Sequence, residues 1–183
     1  MPHLPVLYHE IIHALRPREE GLYIDGTVGA GGHAWGILEA STPSGKLLGL
    51  DLDPQALDLA RTKLQLFGER AILIRASYTT MGEQLEVLGW SGVDGIVVDL
   101  GVSSMQLDTA SRGFSFRVDA PLDMRFDPTG VVTAENLVNG LSEKELANLI
   151  FEYGEERKSR QIARAIVAHR PVRTTKELAD IIV

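Results

Sequence analysis

Four short apolar segments, the first three each followed by a segment of helical character, restrict the possible folds of this chain more than any other feature. Short segments with almost no polar residues are typical of strands buried on both faces of a parallel sheet. Strands and helices alternating at this pitch predict an α/β fold. The predicted strands are residues 21–25, 46–51, 71–74 and 95–100.

The later part of the chain has a different character. A polar, loop-like segment covers residues 103–129. Helical signals follow at residues 134–138, 142–153, 156–169 and 175–183. Ser142 and Glu145 form a capping box at the start of the second of these. We therefore predict a part with the parallel sheet, residues 1–104, and a loop and helical subdomain, residues 105–183.

Composition excludes several classes of protein. The chain has 183 residues and no cysteine, so it has neither disulfide bonds nor thiolate metal ligands. We expect no membrane span, since no apolar run is long enough, and no signal peptide, since a basic head is absent from the N-terminal segment. The formal net charge of -7 argues against a surface that binds nucleic acid everywhere, although a local basic face stays compatible with it. These features favour a cytoplasmic protein.

A glycine-rich turn follows the first predicted strand. After Asp25 the chain carries Gly26, Gly29, Gly31 and Gly32, directly before a predicted helix. Such glycines let backbone N–H groups approach a ligand at a helix N-terminus. The alternative is a tight turn without a ligand. The spacing does not match the G-x-G-x-x-G of dinucleotide-binding folds. It is similar to the acidic-x-x-x-glycine-x-glycine turn of methyltransferases, which predicts S-adenosylmethionine as the cofactor.

Polar residues also end later strands, at the edge where open α/β sheets bind ligands. Asp51 lies 22 residues after Gly29 and is predicted to accept hydrogen bonds from ribose hydroxyls. Helix capping is the alternative, but Asp53 is better placed for that role. Asp99 is expected to hold the ligand's amino group or the incoming substrate, or else to be a turn aspartate. Tyr78 is a candidate to stack on adenine, or a packing residue.

Six longer motifs are distributed along the chain. They are residues 3–7 (HLPVL), 25–33 (DGTVGAGGH), 99–108 (DLGVSSMQLD), 112–116 (RGFSF), 121–125 (PLDMR) and 153–157 (YGEER). Together they resemble the bacterial RsmH (MraW) family, whose members methylate the exocyclic 4-amino group of a cytosine in small-subunit (16S) ribosomal RNA. The resemblance spans essentially the whole chain. It implies S-adenosylmethionine as cofactor and the Rossmann-like class I methyltransferase fold, with small-subunit ribosomal RNA or the 30S particle as partner.

The resemblance also implies individual site residues. The cofactor contacts of the family match Gly31, Gly32, His33, Asp51, Tyr78, Asp99 and Gln106, to which the shape of the turn adds Gly29. Family members usually carry Phe where this chain has Tyr78, and the tyrosine preserves stacking. The Asp/Asn-Pro-Pro-aromatic loop of other amine methyltransferases is absent. The candidate acceptors for the target amine are therefore Asp99, Ser103 and Ser104, with Asp123 as a more distant candidate base.

Contacts to RNA are expected from the later part of the chain. Phe114 and Phe116 are candidates to flank a flipped base, or else form a miniature core. The candidate phosphate contacts are Arg112, Arg157, Arg160 and Arg164. The last three fall on one stripe of the helix predicted at 156–169, which is either a basic face for RNA or an ordinary solvated face. The histidines near the N-terminus, His3, His9 and His13, have no suitable partner ligands, so we predict no metal.

The resembled family has a seven-stranded sheet, and only four strands are predicted here. In that family a helical subdomain is inserted after the fourth strand and the sheet then resumes. We therefore expect the N-terminal portion of a longer protein, with one uncovered sheet edge and weak or absent catalysis. Other functions stay open: an NAD-dependent oxidoreductase, disfavoured by the glycine spacing; a DNA cytosine methyltransferase; and a non-catalytic cofactor-binding or RNA-binding module.

Overall fold

A computed structural model describes residues 5–182, so His3 lies outside the described residues. The chain divides into a first unit, Met1–Gly101, and a second unit, Val102–Val183. This boundary lies slightly before the one predicted from the sequence, at 104/105.

The first unit contains a four-stranded parallel sheet with the order β3-β2-β1-β4. Its strands are β1 (Leu22–Asp25), β2 (Lys46–Asp51), β3 (Ala71–Arg75) and β4 (Gly95–Val97). The chain runs outward from β1 to β3 and then returns to the other side of β1. This reversal between β1 and β4 is the switch point at which open α/β sheets bind ligands. The predicted Rossmann-like α/β fold is confirmed, although β4 is shorter than predicted because residues 98–100 leave the sheet.

Helices cover the sheet of the first unit. They are α1 (Tyr8–Leu15), α2 (Gly32–Ala40), α3 (Pro54–Leu64) and α4 (Met81–Leu88). Helix α3 begins as predicted, because the Asp53 carboxylate accepts a hydrogen bond from the Gln55 N–H at 2.9 Å and Pro54 occupies the first helical position. Helix α1 was not predicted. Its Ile12 and Leu15 pack on the core, and this one short apolar stripe was its signal in the sequence.

The central strands β1 and β2 are buried on both faces of the sheet, as their apolar sequences predict. Tyr23 and Leu47 pack with side chains of α2 and α3 on one face. Their sequence neighbours Ile24 and Leu48 pack with α4 and the segment that follows it on the other face. Successive side chains of a strand point to opposite faces, so a strand buried on both sides has no place for a polar residue except at its ends. The polar side chains of the strands are therefore concentrated at the ends.

The second unit is helical. It contains α5 (Ser104–Asp108), a long loop, α6 (Ala134–Gly140), α7 (Glu143–Gly154), α8 (Ser159–Ala168) and α9 (Thr175–Ile182). Leu122 anchors the loop in a core that includes Leu146, Ile166 and Val172. Helix α8 begins later than the predicted residue 156, so Arg157 precedes it rather than lying on it. Across residues 5–182, no helix is long and apolar enough to cross a membrane.

Candidate ligand site at the switch point

Hydrogen bonds to both neighbouring strands hold the turn that follows β1. The Gly26 N–H donates to the Val97 carbonyl of β4 at 2.8 Å, and the Val28 N–H donates to the Leu50 carbonyl of β2 at 2.9 Å. These bonds involve only backbone groups, and they join the turn to the strands on both sides of β1. The turn then leads directly into the first residue of α2.

The glycines of the turn serve two different purposes. Gly29 and Gly31 have φ angles of 51° and 81°, in the left-handed region that favours glycine. Gly32 is required by packing instead, because a Cβ there would lie 2.3 Å from the Pro5 side chain. Backbone shape and close approach together explain why the sequence is so rich in glycine at this point.

Asp51 ties the turn to the end of β2. Its Oδ2 accepts a hydrogen bond from the Gly29 N–H at 2.9 Å, and its Oδ1 accepts one from the Asp53 N–H at 2.9 Å. A carboxylate oxygen can accept more than one hydrogen bond, so both oxygens keep capacity for a ligand. Asp53 fills the helix-capping role, which removes the structural alternative considered for Asp51.

Asp25 was predicted as the acidic residue that opens the glycine turn, but no role of its own was predicted for it. It ends β1, its residue is only 1% exposed, and its Oδ1 accepts the Thr27 N–H at 3.2 Å. Its Oδ2 has no hydrogen-bond partner among the described residues. Burial, reinforced by the carboxylates of Asp51 and Asp99, raises the pKa of Asp25 to about 7, against the opposing effect of the Thr27 N–H. A polar residue at the end of an otherwise apolar strand was its signal.

Asp99 and Tyr78 lie beside the same turn. The backbone N–H of Asp99 donates to the Thr27 hydroxyl at 2.7 Å, and the residue is exposed. The Cβ of Tyr78 lies so close to Gly26 that a Cβ on the glycine would be 3.0 Å away. Tyr78 is itself 40% exposed, so its ring is accessible for stacking. The structure thus gathers predicted cofactor residues of the first unit around one turn.

His33 is the exception among them. Its residue is 6% exposed, and its Nε2 lies 3.0 Å from the Val6 carbonyl oxygen. The ring is therefore engaged with the N-terminal segment of the chain. A direct contact between this ring and a ligand has no support from its position, whereas the backbone N–H of His33 belongs to the first turn of α2.

The remaining candidates for cofactor binding and catalysis belong to the second unit. The Ser103 hydroxyl accepts the Gln106 N–H at 3.2 Å, and Gln106 Oε1 accepts the Ser103 N–H at 2.9 Å. These reciprocal bonds form the capping box of α5, so both side chains have a local structural role. Ser104 is the exposed first residue of α5.

The structure assigns Arg112 to the inside of the second unit rather than to a surface for RNA. Its residue is 8% exposed, and its guanidinium donates to the carbonyls of Arg125 and Phe126 at 2.8 and 3.2 Å. A loop without regular structure leaves carbonyl groups in need of donors, and a guanidinium supplies several. The prediction of an RNA contact at Arg112 is corrected on this ground.

The two phenylalanines of the same motif have different surroundings. Phe114 is half-buried, and its ring centroid lies 5.2 Å from that of Phe126. Phe116 is 71% exposed. Phe114 therefore belongs to the small aromatic core considered as the alternative, and Phe116 alone presents a free ring face.

Asp123, the distant candidate base, is held in an ion pair. Its carboxylate accepts from both Nε and the terminal nitrogen of Arg125. These hydrogen bonds hold the pKa of Asp123 below its ordinary value. A carboxylate stabilised as the anion is a weaker base, so the structure argues against a proton-accepting role.

Exposed arginines lie near the start of α8. Arg157, Arg160 and Arg164 are all exposed, and Arg164 Nε lies 3.5 Å from Glu143 Oε1. An exposed pair of this length contributes little to stability, so Arg164 is not committed to a structural role. The nearby Arg170 differs, because its guanidinium donates to the carbonyls of Val138 and Leu141. In the part of the chain that is described, no group of three His, Asp or Glu residues could hold a metal ion.

Comparison with known sequences decides the family. The sequence profile of the MraW methylase family matches residues 1–183. The chain belongs to this family. It is 50% identical to the ribosomal RNA small subunit methyltransferase H of Heliobacterium mobile and 53% identical to the protein of that name from Geobacter sulfurreducens. Each alignment covers 98% of this chain and 59% of the relative, so the chain spans about 59% of the length of these curated family members.

The burial of Asp25 predicts an unusual dependence of stability on pH. Between the unfolded pKa of about 3.8 and the folded pKa of about 7, the native state binds a proton that the unfolded state has lost. Stability from this group is therefore present at low pH and falls by about 1.4 kcal/mol per pH unit as pH rises toward 7. Asp25→Asn should remove this slope, so the variant gains stability over the wild type as pH rises from 5 to 8.

Urea unfolding of both proteins at each pH measures this difference. The exposed Asp58 provides a matched control, since Asp58→Asn changes the same atoms without burial and should keep the wild-type slope. A wild-type slope in Asp25→Asn would show that the buried carboxyl does not titrate in this range.

Proposed function

We propose that the chain supplies the cofactor-binding part of an S-adenosylmethionine-dependent methyltransferase that acts on the exocyclic 4-amino group of a cytosine in small-subunit (16S) ribosomal RNA. The observation that carries the proposal is the glycine turn at the switch point, flanked by Asp25, Asp51 and Asp99. Membership of the MraW methylase family supports it, as do relatives named ribosomal RNA small subunit methyltransferase H. A ribosomal RNA substrate makes the cytoplasm the place of action.

The charge of the site fits this cofactor better than a dinucleotide. S-adenosylmethionine carries a sulfonium and an ammonium group, and carboxylates at the ends of β1 and β2 and just after β4 favour cations. The buried Oδ2 of Asp25, without a hydrogen-bond partner among the described residues, is an acceptor that a cationic donor would satisfy. A pyrophosphate would bring negative charge to the same carboxylates. The glycine spacing and the electrostatics therefore both argue against an NAD-dependent oxidoreductase.

Each neighbour of the turn has a proposed role. Asp51 would accept hydrogen bonds from the ribose hydroxyls, and the exposed ring of Tyr78 would stack on adenine. The N–H groups of the first turn of α2, at Gly32 and His33, would bind the carboxylate of the amino-acid part. Asp99 would hold the ligand's amino group or the incoming amine. Gly29 and Gly31 would keep the backbone open to the ligand.

The chemistry needs an electrophilic methyl group, which bound S-adenosylmethionine supplies. The chain's own contribution is to orient the cytosine amine and to accept hydrogen bonds from it. Among Asp99, Ser103 and Ser104, we favour Asp99, because a carboxylate is a stronger acceptor than a hydroxyl and the Asp99 backbone is fixed to Thr27. The Ser103 hydroxyl already accepts a hydrogen bond from α5. The resemblance also connects Gln106 with the cofactor, and we propose a cofactor contact for this residue.

RNA binding is proposed for the exposed arginines of the second unit. Arg160 and Arg164 lie four residues apart on α8, so they share a face, and Arg157 lies just before this helix. Their guanidinium groups are exposed and available to phosphates, despite the acidic total charge. The exposed ring of Phe116 is the remaining aromatic candidate for a base contact.

Catalysis by these 183 residues alone is proposed to be weak or absent. Among residues 5–182, strand β4 has a pairing partner on one side only, and Ile96 within it is 48% exposed. This chain covers 59% of the length of its relatives, and in the resembled family the sheet has further strands. We propose that those further strands cover this edge and complete the active site in the relatives.

Replacing Asp51 tests the cofactor. Asp51→Asn keeps the size of the side chain but removes a charged acceptor, so S-adenosylmethionine should bind the variant roughly 10–100-fold more weakly by calorimetric titration. Asp58→Asn, far from the turn in the sequence and exposed, should bind like the wild type. Binding of NAD, or equal affinity in Asp51→Asn and the wild type, would contradict the proposed site.

Replacing arginines tests the RNA surface. Arg160→Gln with Arg164→Gln should weaken binding of a fluorescent single-stranded RNA and lower the slope of log affinity against log salt by roughly 1.4, since about two phosphate contacts are lost. The control carries the same change at Arg61 and Lys63, exposed cations of the first unit. An equal loss in the control would show general attraction rather than a defined surface.

Transfer of labelled methyl groups separates the enzyme from its alternatives. We expect little transfer to small-subunit RNA by this chain, even where cofactor and RNA both bind. DNA of the same sequence should accept none. Preferred methylation of DNA would favour a DNA cytosine methyltransferase, whereas a normal rate on RNA would refute the proposed need for the rest of the protein.

A further inference from the structure

The segment just before α1 lies against the first turns of α2. We call this segment, together with Tyr8 at the start of α1, the strap (residues 5–8). A Cβ on Gly32 would lie 2.3 Å from Pro5, and a Cβ on Gly36 would lie 2.5 Å from the Tyr8 hydroxyl. These glycines are four residues apart, so they share one face of α2 and leave a shallow groove on it. The strap occupies this groove beside the glycine turn.

The side chain of His33 holds the strap in place. Its Nε2 lies 3.0 Å from the Val6 carbonyl oxygen. A carbonyl can only accept, so Nε2 carries the proton and donates. The imidazole also stacks on the Tyr8 ring, with centroids 6.4 Å apart and planes 16° apart. At 6% exposure, this ring is committed to the strap.

The shape of the strap needs such a fastening. Leu7 has a φ of 51°, in the left-handed region that a leucine adopts only at a cost of roughly 1–2 kcal/mol. Val6 and Leu7 are 68% and 61% exposed, so burial of their side chains does little to offset this cost. The hydrogen bond from His33 and the packing of Pro5 and Tyr8 are the compensating contacts.

We propose that His33 is a positioning residue, which slows release of the cofactor by holding the strap across the first turn of α2. This inference rests on the proposed function, in which the N–H groups of that turn bind the carboxylate of the cofactor. A strap fixed beside them limits the access of water and the path of departure. His33 then acts through the strap, and its backbone N–H rather than its ring faces the ligand.

Two substitutions of similar size separate the hydrogen bond from packing. His33→Gln keeps an N–H donor near the position of Nε2, whereas His33→Leu keeps the volume without a donor. In His33→Leu, S-adenosylmethionine should dissociate about 3–10-fold faster in stopped-flow measurements, with association changed less than about twofold. His33→Gln should recover most of the slow dissociation.

Hydrogen exchange of one backbone amide reports directly on the position of the strap. The Ile11 N–H donates to the Leu7 carbonyl at 2.9 Å, so its exchange reports whether the strap is in place. This amide should exchange faster in His33→Leu and near the wild-type rate in His33→Gln, without cofactor present. Gly36→Ala displaces the strap in a different way, because its new methyl group would displace Tyr8 while His33 stays intact. It should raise both the exchange rate of the Ile11 amide and the dissociation rate of S-adenosylmethionine.

The outcomes distinguish this inference from the proposed function. Suppose that, in His33→Leu and Gly36→Ala, the Ile11 amide exchanges faster while the cofactor dissociates at the wild-type rate. That result would show that His33 only tethers the strap, and it would overturn the inference. Unchanged exchange at Ile11 in His33→Leu would refute the tether itself. If His33→Leu does not fold, Gly36→Ala and His33→Gln decide by the same two rates. A wild-type chain that binds no S-adenosylmethionine would refute the proposed function, whatever the exchange shows.

Discussion

The hydrogen bond from the Gly29 N–H to the Asp51 carboxylate is the contact on which the rest of the site depends. It joins the turn after β1 to the end of β2. The other oxygen of the same carboxylate accepts the Asp53 N–H, which places the residue that caps α3. One side chain therefore sets the turn, the strand end and the start of a helix. Because Gly29 has a left-handed φ, this geometry suits glycine at that position.

This arrangement places several carboxylates close together. Asp25 is buried, and the nearby charges of Asp51 and Asp99 make its ionisation still harder. A fold selected only for stability would place an apolar residue at the end of β1, as in the rest of that strand. A cationic ligand reverses the balance, because it supplies the charge and the donor that the buried carboxyl lacks. The electrostatic cost in the protein alone is thus what the proposed binding of a sulfonium and ammonium compound would offset.

Features that depend on neighbouring residues in the sequence were predictable, whereas contacts between residues far apart in the sequence were not. The bounds of β2 and the start of α3 follow from neighbouring residues, since an apolar run ends at Asp51 and Asp53-Pro54 is a helix start. The grouping of Asp51 and Asp99 follows from the rule that parallel strands end at one edge. The burial of Asp25 and the bond from His33 to Val6 depend on how α1 and α2 pack. No sequence spacing encodes those contacts, and α1 itself was missed.

The arginines show the same limit of prediction from sequence. Arg112 and Arg170 donate to backbone carbonyls of the second unit, while Arg157, Arg160 and Arg164 are exposed. In the sequence all of them are equally basic. What separates them is whether a loop or helix end nearby leaves carbonyl oxygens without donors, because a guanidinium that satisfies such groups is no longer free for phosphate. A basic surface is therefore identified by the arginines that remain after the backbone's own needs have been met, and Arg157, Arg160 and Arg164 are among them.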